Sequence, residues 1–401
     1  MSPASITGRR TVALVMLGGW MAGGCGPGDP PAEPARVVHA EIGAPLPGLG
    51  PAEQAAFETG AALFSRQYTQ EEGLGPRFNE NSCDACHTFP VDGGSGETSV
   101  RKVTRTLPDG RCDLLEPHGG TNLRIQVTPR AAALGARPER DRSFGTHTAV
   151  FTIPFTFGLG LAEAVPLEAL EARADPDDAD GDGISGRVGR DPAGRPARFG
   201  RKADVASLED FVDSAFRMEM GLTTPLVPDE ARAGIPPFAP EGADPAPEPE
   251  VPPEELDAVL AFLRFLAPPS PSGRSDPLVE EGEALFGDLG CAGCHVPVLT
   301  TGPSESPALD RVGVALYSDL LLHDMGPELE GTCAAGASTT EYRTEPLMGL
   351  RYREAYLHDG RAKRVMDAVL AHGGEAAAAR SRFAALDRLR QEALLRFLGT
   401  L

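Results

Sequence analysis

The chain has 401 residues, of which 41% are hydrophobic and 6% aromatic, and 37 Lys and Arg against 58 Asp and Glu give a formal charge of −21. That length allows two domains of ordinary size, and 47 Gly with 38 Pro imply long loops. So acidic a chain argues against nucleic acid and anionic membrane surfaces as partners and fits encounter with a basic protein better.

Near the start, Arg9 and Arg10 precede an apolar run from Val12 to about Met21, then Ala22-Gly23-Gly24 before Cys25. A basic start, a short apolar core and small residues read as a secretory signal over residues 1–24, too short for a permanent membrane span. Cys25 resembles the cysteine of a bacterial lipoprotein box, which implies lipidation there, although Ala22 stands where leucine is usual. The low-complexity stretch that follows, placed within residues 25–50, reads as a tether. Cleavage before Cys25 removes Trp20, the only tryptophan.

Apolar residues three and four apart predict a helix over Glu53–Phe64, ending in Gly60-Ala61-Ala62-Leu63-Phe64. Beyond it lies Cys83-Asp84-Ala85-Cys86-His87. Cys-x-x-Cys-His is the attachment signature of c-type haem, with thiols Cys83 and Cys86 for the porphyrin and His87 for the iron. A zinc site wants further ligands at short spacing, and a dithiol redox site has no use for the fifth-position histidine.

Downstream, Leu123–Val127 and Thr148–Thr156 read as short strands. His118 and His147 each lie near glycines, where a loop could move, and a structural role is the simpler reading. Asp178, Asp180 and Asp182 with Gly183 match the start of a calcium loop, but Gly189 stands where an EF-hand carries glutamate. Pro225–Pro253 is proline-rich and acidic and reads as an exposed loop. A helix over Leu256–Leu263 then runs to Pro268-Pro269-Ser270-Pro271, where the first unit ends.

The same order recurs. A helix over Val279–Phe286 carries Gly282-Glu283-Ala284-Leu285-Phe286, then comes Cys291-Ala292-Gly293-Cys294-His295, and a last helix spans Gln391–Leu398. Helix, haem motif and terminal helix resemble the cytochrome c fold, in which the first and last helices cross beside the haem. The chain therefore reads as mainly α: cytochrome c-like domains over 51–269 and 276–401, in tandem, the first enlarged by an insertion with short strands. Of seven cysteines, four serve two haems, Cys25 the lipid, and Cys112 and Cys333 either pair or stay as separate thiols.

With both haem motifs, Ser318-Asp319-Leu320-Leu321-Leu322-His323-Asp324-Met325-Gly326 and Tyr356-Leu357-His358-Asp359-Gly360-Arg361-Ala362 on the page, the chain resembles the diheme cytochrome c peroxidase superfamily, in its diheme oxidoreductase branch. The resemblance implies a first haem that meets peroxide and a second that takes electrons from a small cytochrome or copper protein. It places a distal glutamate at Glu219, after the Gly200-Arg201 turn, where it can shuttle a proton between peroxide oxygens. Arg201 and Lys202 are then candidates for propionates or for developing charge. For the second haem it points to a sixth ligand after the helix Val365–Ala371, at His372, with Met325 and His323 as rivals. His323 otherwise lies near the haem edge, while His358 and Arg361 fix the turn and the propionates. Relatives place a tryptophan between the haems, which the mature chain lacks. The alternative function is a non-enzymatic electron carrier with both irons six-coordinate.

Overall fold

The computed structural model describes residues 36–229 and 240–401. The expected signal, Trp20 and Cys25 lie outside the described residues. Ten helices are described: α1 Pro51–Phe64, α2 Pro129–Ala133, α3 Leu159–Ala164, α4 Leu167–Glu171, α5 Leu208–Ala215, α6 Pro253–Phe265, α7 Pro277–Asp288, α8 Val365–Ala371, α9 Ala377–Ala384 and α10 Arg388–Leu398. The longer ones start on local chemistry. The Glu53 carboxylate accepts from Gly50 N–H at 2.7 Å ahead of Pro51. Asp276 and Asp387 cap α7 and α10 through Leu278 N–H and Leu389 N–H, at 3.0 and 2.9 Å.

Two helix crossings repeat one design. Helix α1 packs on α6, and α7 on α10. At the first crossing Gly60 lies so close that a Cβ would stand 1.9 Å from Ala258 O; at the second, a Cβ on Gly282 would stand 2.1 Å from Ala393 O. Phe64 packs tilted against Phe262 with centroids 4.9 Å apart, and Phe286 meets Phe397 edge to face at 5.5 Å. Each crossing sits in its own apolar core, a large one spanning Val38 to Met348 and a small one spanning Val279 to Leu401.

The insertion carries an antiparallel sheet in the order Cys112–Asp113, Ser99–Thr106, His147–Thr152, with Val103 opposite Thr148. Its central strand was not legible as one, and its expected edge strand stops at Thr152, whose N–H turns to His358 O at 2.8 Å. The expected strand at 123–127 shrinks to Gln126–Val127, paired with Arg77–Phe78.

The tether expectation fails for residues 36–50. Val38 and Leu46 are buried, and their N–H groups donate to Gly313 O and Phe265 O at 2.9 and 2.8 Å. The acidic segment also turns inward at its end, where Val251 is fully buried and the Glu250 carboxylate accepts from Thr223 N–H at 2.7 Å. Cys112 and Cys333 form a disulfide with Cα atoms 5.9 Å apart, joining the insertion to the second half. No described helix is long and apolar enough to cross a membrane.

Candidate functional site: two haem pockets

Helix α1 delivers Phe64 to the His87 ring, with centroids 6.1 Å apart. His87 Nδ1 lies 3.0 Å from Gly94 O. A carbonyl only accepts, so Nδ1 carries the proton and Nε2 is the nitrogen free for a metal. His87, Cys83, Cys86 and Glu219 line one cavity of about 740 Å³. Burial pushes the Cys83 and Cys86 thiols up, to about 12 and about 11. Thiols raised this far are poor nucleophiles, which does not suit a dithiol redox centre.

Glu219 stands on a π-helical turn, Phe216–Met220, that continues α5; such widened turns concentrate at functional sites. Both carboxylate oxygens are held: Asn79 Nδ2 donates to Oε2 at 2.6 Å and Asn122 Nδ2 to Oε1 at 2.5 Å. Behind the turn, Arg124 is fully buried and donates to Gly119 O at 3.1 Å and Arg217 O at 3.4 Å. Burial lowers its pKa to about 10. Sequence reading missed these three residues. In Leu123-Arg124-Ile125-Gln126-Val127 the alternation gives Arg124 no more weight than Gln126.

The second cavity, about 240 Å³, is lined by Cys291, Cys294, His295, His372 and Met325. His295 Nδ1 meets Tyr317 O at 2.9 Å and His372 Nδ1 meets Ala368 O at 2.7 Å. Both rings therefore also keep Nε2 free. Their centroids are 6.4 Å apart. Two metal–imidazole bonds of about 2 Å plus the ring radii span roughly 6 Å, so the pair fits one iron between them. Burial lowers both histidines, His295 to about 4, favouring the neutral form that a ligand needs.

His323 is not available as a ligand. Its Nε2 bonds Asp319 at 2.9 Å and its Nδ1 bonds Glu375 at 2.7 Å. Burial opposes its charge, but Asp319, the Cys294 sulfur and Glu375 together push its pKa up to about 12. The Gly373-Gly374 pair serves a different contact from the expected porphyrin edge: Gly374 has φ +50° and a Cβ there would lie 2.0 Å from Asp324 O.

Arg201, Arg343, Arg353 and Glu345 line both cavities. Glu345 pairs with all three arginines, at 3.3, 3.1 and 3.0 Å. Burial would raise Glu345, yet Arg201, Arg343 and Arg353 hold it down at about 2. Three guanidiniums against one carboxylate leave positive charge over, and Arg201 Nε is buried without a partner. That surplus fits the carboxylates of haem. Arg201 thus belongs to the wall between the pockets, and Lys202 spends its ammonium on three carbonyls, those of Ser338, Thr339 and Glu341. Arg361 fixes its turn through Asp359 at 2.6 Å and Glu328 O at 2.7 Å.

His118 and His147 line neither of these two cavities: His118 packs against Phe144 with centroids 4.4 Å apart, and His147 bonds Thr106 at 3.0 Å. The acidic loop differs from expectation too. The carboxylates that converge are Asp175, Asp178 and Asp180, whereas Asp182 accepts from Ile184 N–H at 2.8 Å and borders the second cavity.

The family model described as "di-haem oxidoreductase, putative peroxidase" matches residues 139–401, which include Glu219 and the second haem motif. The chain belongs to the di-haem oxidoreductase family. Solved structures similar to it include hydrazine synthase from Kuenenia stuttgartiensis, at 14% identity over all of both chains with TM-score 0.45. The diheme peroxidase BthA from Burkholderia thailandensis is 16% identical over 92% of this chain and 95% of its own, with TM-score 0.43. A MauG-like protein associated with microbial copper homeostasis is 15% identical over 92% and 93%, with TM-score 0.40. No curated protein matches the chain. Membership in the di-haem family implies two haems, and the first motif, at 83–87, precedes the matched stretch.

Proposed function

We propose that this di-haem oxidoreductase reduces hydrogen peroxide with electrons from a small redox protein. The observation that carries the reading is the inequality of the two pockets. The second offers two facing imidazoles, His295 and His372. The first offers His87 and, in place of a second histidine, a carboxylate aimed by two asparagines. A haem at each site, attached through Cys83 and Cys86 or Cys291 and Cys294, supplies an iron that exchanges electrons and, where a position is open, binds small oxygen species. His87 and His295 would each hold an iron, and His372 would supply the second ligand in the second pocket, leaving that pocket as the electron port.

Glu219 takes the proton from one peroxide oxygen and returns it to the other, and Asn79 and Asn122 keep its carboxylate from rotating away. Arg201, Arg343 and Arg353 bind the haem carboxylates. The Cys112–Cys333 disulfide supports an oxidising compartment, the periplasm or cell envelope, with lipid on Cys25 as the anchor. Calcium at the acidic loop, on Asp178 and Asp180 with Asp175 in place of Asp182, belongs to the same reading.

The deciding experiment is EPR of the half-reduced protein combined with turnover of Glu219→Gln. High-spin iron at one site and a loss of about 10² to 10⁴ in peroxide turnover, at unchanged haem content, are expected. Low-spin signals alone, with no turnover from any donor, would instead make the protein an electron carrier.

A further inference from the structure

Tyr342 occupies a setting unlike that of the other tyrosines. The chain has five. Tyr68 donates to Glu255, Tyr356 donates to Arg353 O, and Tyr317 and Tyr352 accept from Arg274 and Arg351. Tyr342 alone bonds an imidazole: its hydroxyl lies 3.3 Å from His358 Nε2. The His358 ring lies flat against the phenol, with centroids 4.4 Å apart and planes 16° apart. On the phenol, Lys202 Nζ stands 3.6 Å from the ring centre. All three side chains are buried, at 8%, 7% and 5% exposure. Gly331 closes over the hydroxyl, where a Cβ would come within 2.3 Å.

The stack also lies between the pockets. Tyr342 and His358 line the second cavity. Phe151, 5.7 Å from the His358 ring, and Lys202 line the first. An oxidised phenol is a very strong acid, so Tyr342 can lose an electron here only where a base stands ready to take its proton. Lys202 sharpens this requirement, since an ammonium over the ring repels a ring cation. His358 provides the outlet, for burial first, and then Arg201, Arg361 and Lys202, lower its pKa to about 4 against the pull of Asp359. In the neutral tautomer that carries its hydrogen on Nδ1, His358 presents the Nε2 lone pair 3.3 Å from the hydroxyl.

We propose that Tyr342 is redox-active: it gives up one electron during peroxide reduction while its phenol proton passes to Nε2 of His358. Peroxide needs two electrons and two protons to become two waters. Tyr342 supplies one of these electrons while its proton stays on His358, and the other would come from a haem iron. Both protons of the waters come from solvent, and Tyr342 is restored when a donor electron arrives and His358 returns the proton. This rests on the peroxide reading above and assigns the protein's own store of oxidising equivalents.

The test is freeze-quench EPR of the haem-loaded protein mixed with one equivalent of peroxide and no donor, with haem absorption followed in parallel. Wild type should yield an organic radical whose hyperfine pattern collapses when the protein is labelled with ring-deuterated tyrosine. In Tyr342→Phe the radical should be absent although haem absorption still responds to peroxide. In His358→Gln, which keeps the ring pocket filled with a polar side chain, its yield should fall at least tenfold. A radical that persists in Tyr342→Phe, or none in wild type despite a haem response, would overturn the assignment alone. No haem response to peroxide would overturn the peroxide reading and this assignment with it.

Discussion

His372 faces His295 because a helix ends there: α8 stops at Ala371, and the His372 ring folds back so that Nδ1 donates to Ala368 O at 2.7 Å. That bond fixes the tautomer and the ring orientation together. In His372→Gly the low-spin EPR signal of the second haem should disappear and a high-spin signal replace it, with haem content unchanged. An unaltered low-spin signal would hand the position to Met325, which lines the same cavity. The histidine was legible only through the family resemblance, which implies a sixth ligand just after the helix Val365–Ala371. The groups around Glu219 were not legible, for a physical reason. Asn79 and Asn122 come from positions 140 and 97 residues away, and an asparagine in a loop carries no periodicity that betrays a distant carboxylate. Glu345 with its three arginines was missed likewise: the short run containing Arg343, Glu345 and Arg353 looks like a solvated turn until Arg201 joins it from the first half.

At the scale of elements, the repeated phrases around Gly60 and Gly282 announced the two helices but not why each carries glycine. The cause lies in the partner: backbone of α6 and of α10 passes where a Cβ would be. Helix propensity favours alanine over glycine by about 0.5–1 kcal/mol, while forcing a methyl into packed backbone costs about 1–3 kcal/mol. The second effect wins, because the obstacle at Gly282 is the carbonyl of Ala393 rather than the end of a flexible side chain. Gly282→Ala should therefore lower stability by about 1 kcal/mol, the difference between the two effects, read as a lower urea midpoint at unchanged slope. An unchanged or higher midpoint would mean that the crossing can open without loss. The strands were less legible than the helices. Ser99–Thr106 alternates Ser, Arg, Val and Thr with charge on both faces, and its identity as the central strand depends on His147–Thr152 lying beside it.

For the whole molecule, charge is the property that composition stated most directly, and it bears on the donor. With 58 acidic against 37 basic side chains, the protein repels acidic partners and draws basic ones from a distance. Such steering raises association by about 10- to 10³-fold at low ionic strength. The field reaches about 30 Å at 0.01 M salt but about 8 Å at 0.15 M. If the acidity serves electron delivery, the second-order rate of haem reduction by a basic, cytochrome-sized donor should fall at least tenfold between those two conditions. An acidic donor of similar potential should be slow at low salt and gain as salt is added. Stopped-flow reduction of the oxidised protein reads both series. The comparison isolates the field, because added salt screens encounter while the two cavities and the wall of Arg201, Arg343 and Arg353 between them stay the same. Rates independent of salt for both donors would mean that the negative charge keeps the protein soluble and takes no part in choosing its partner.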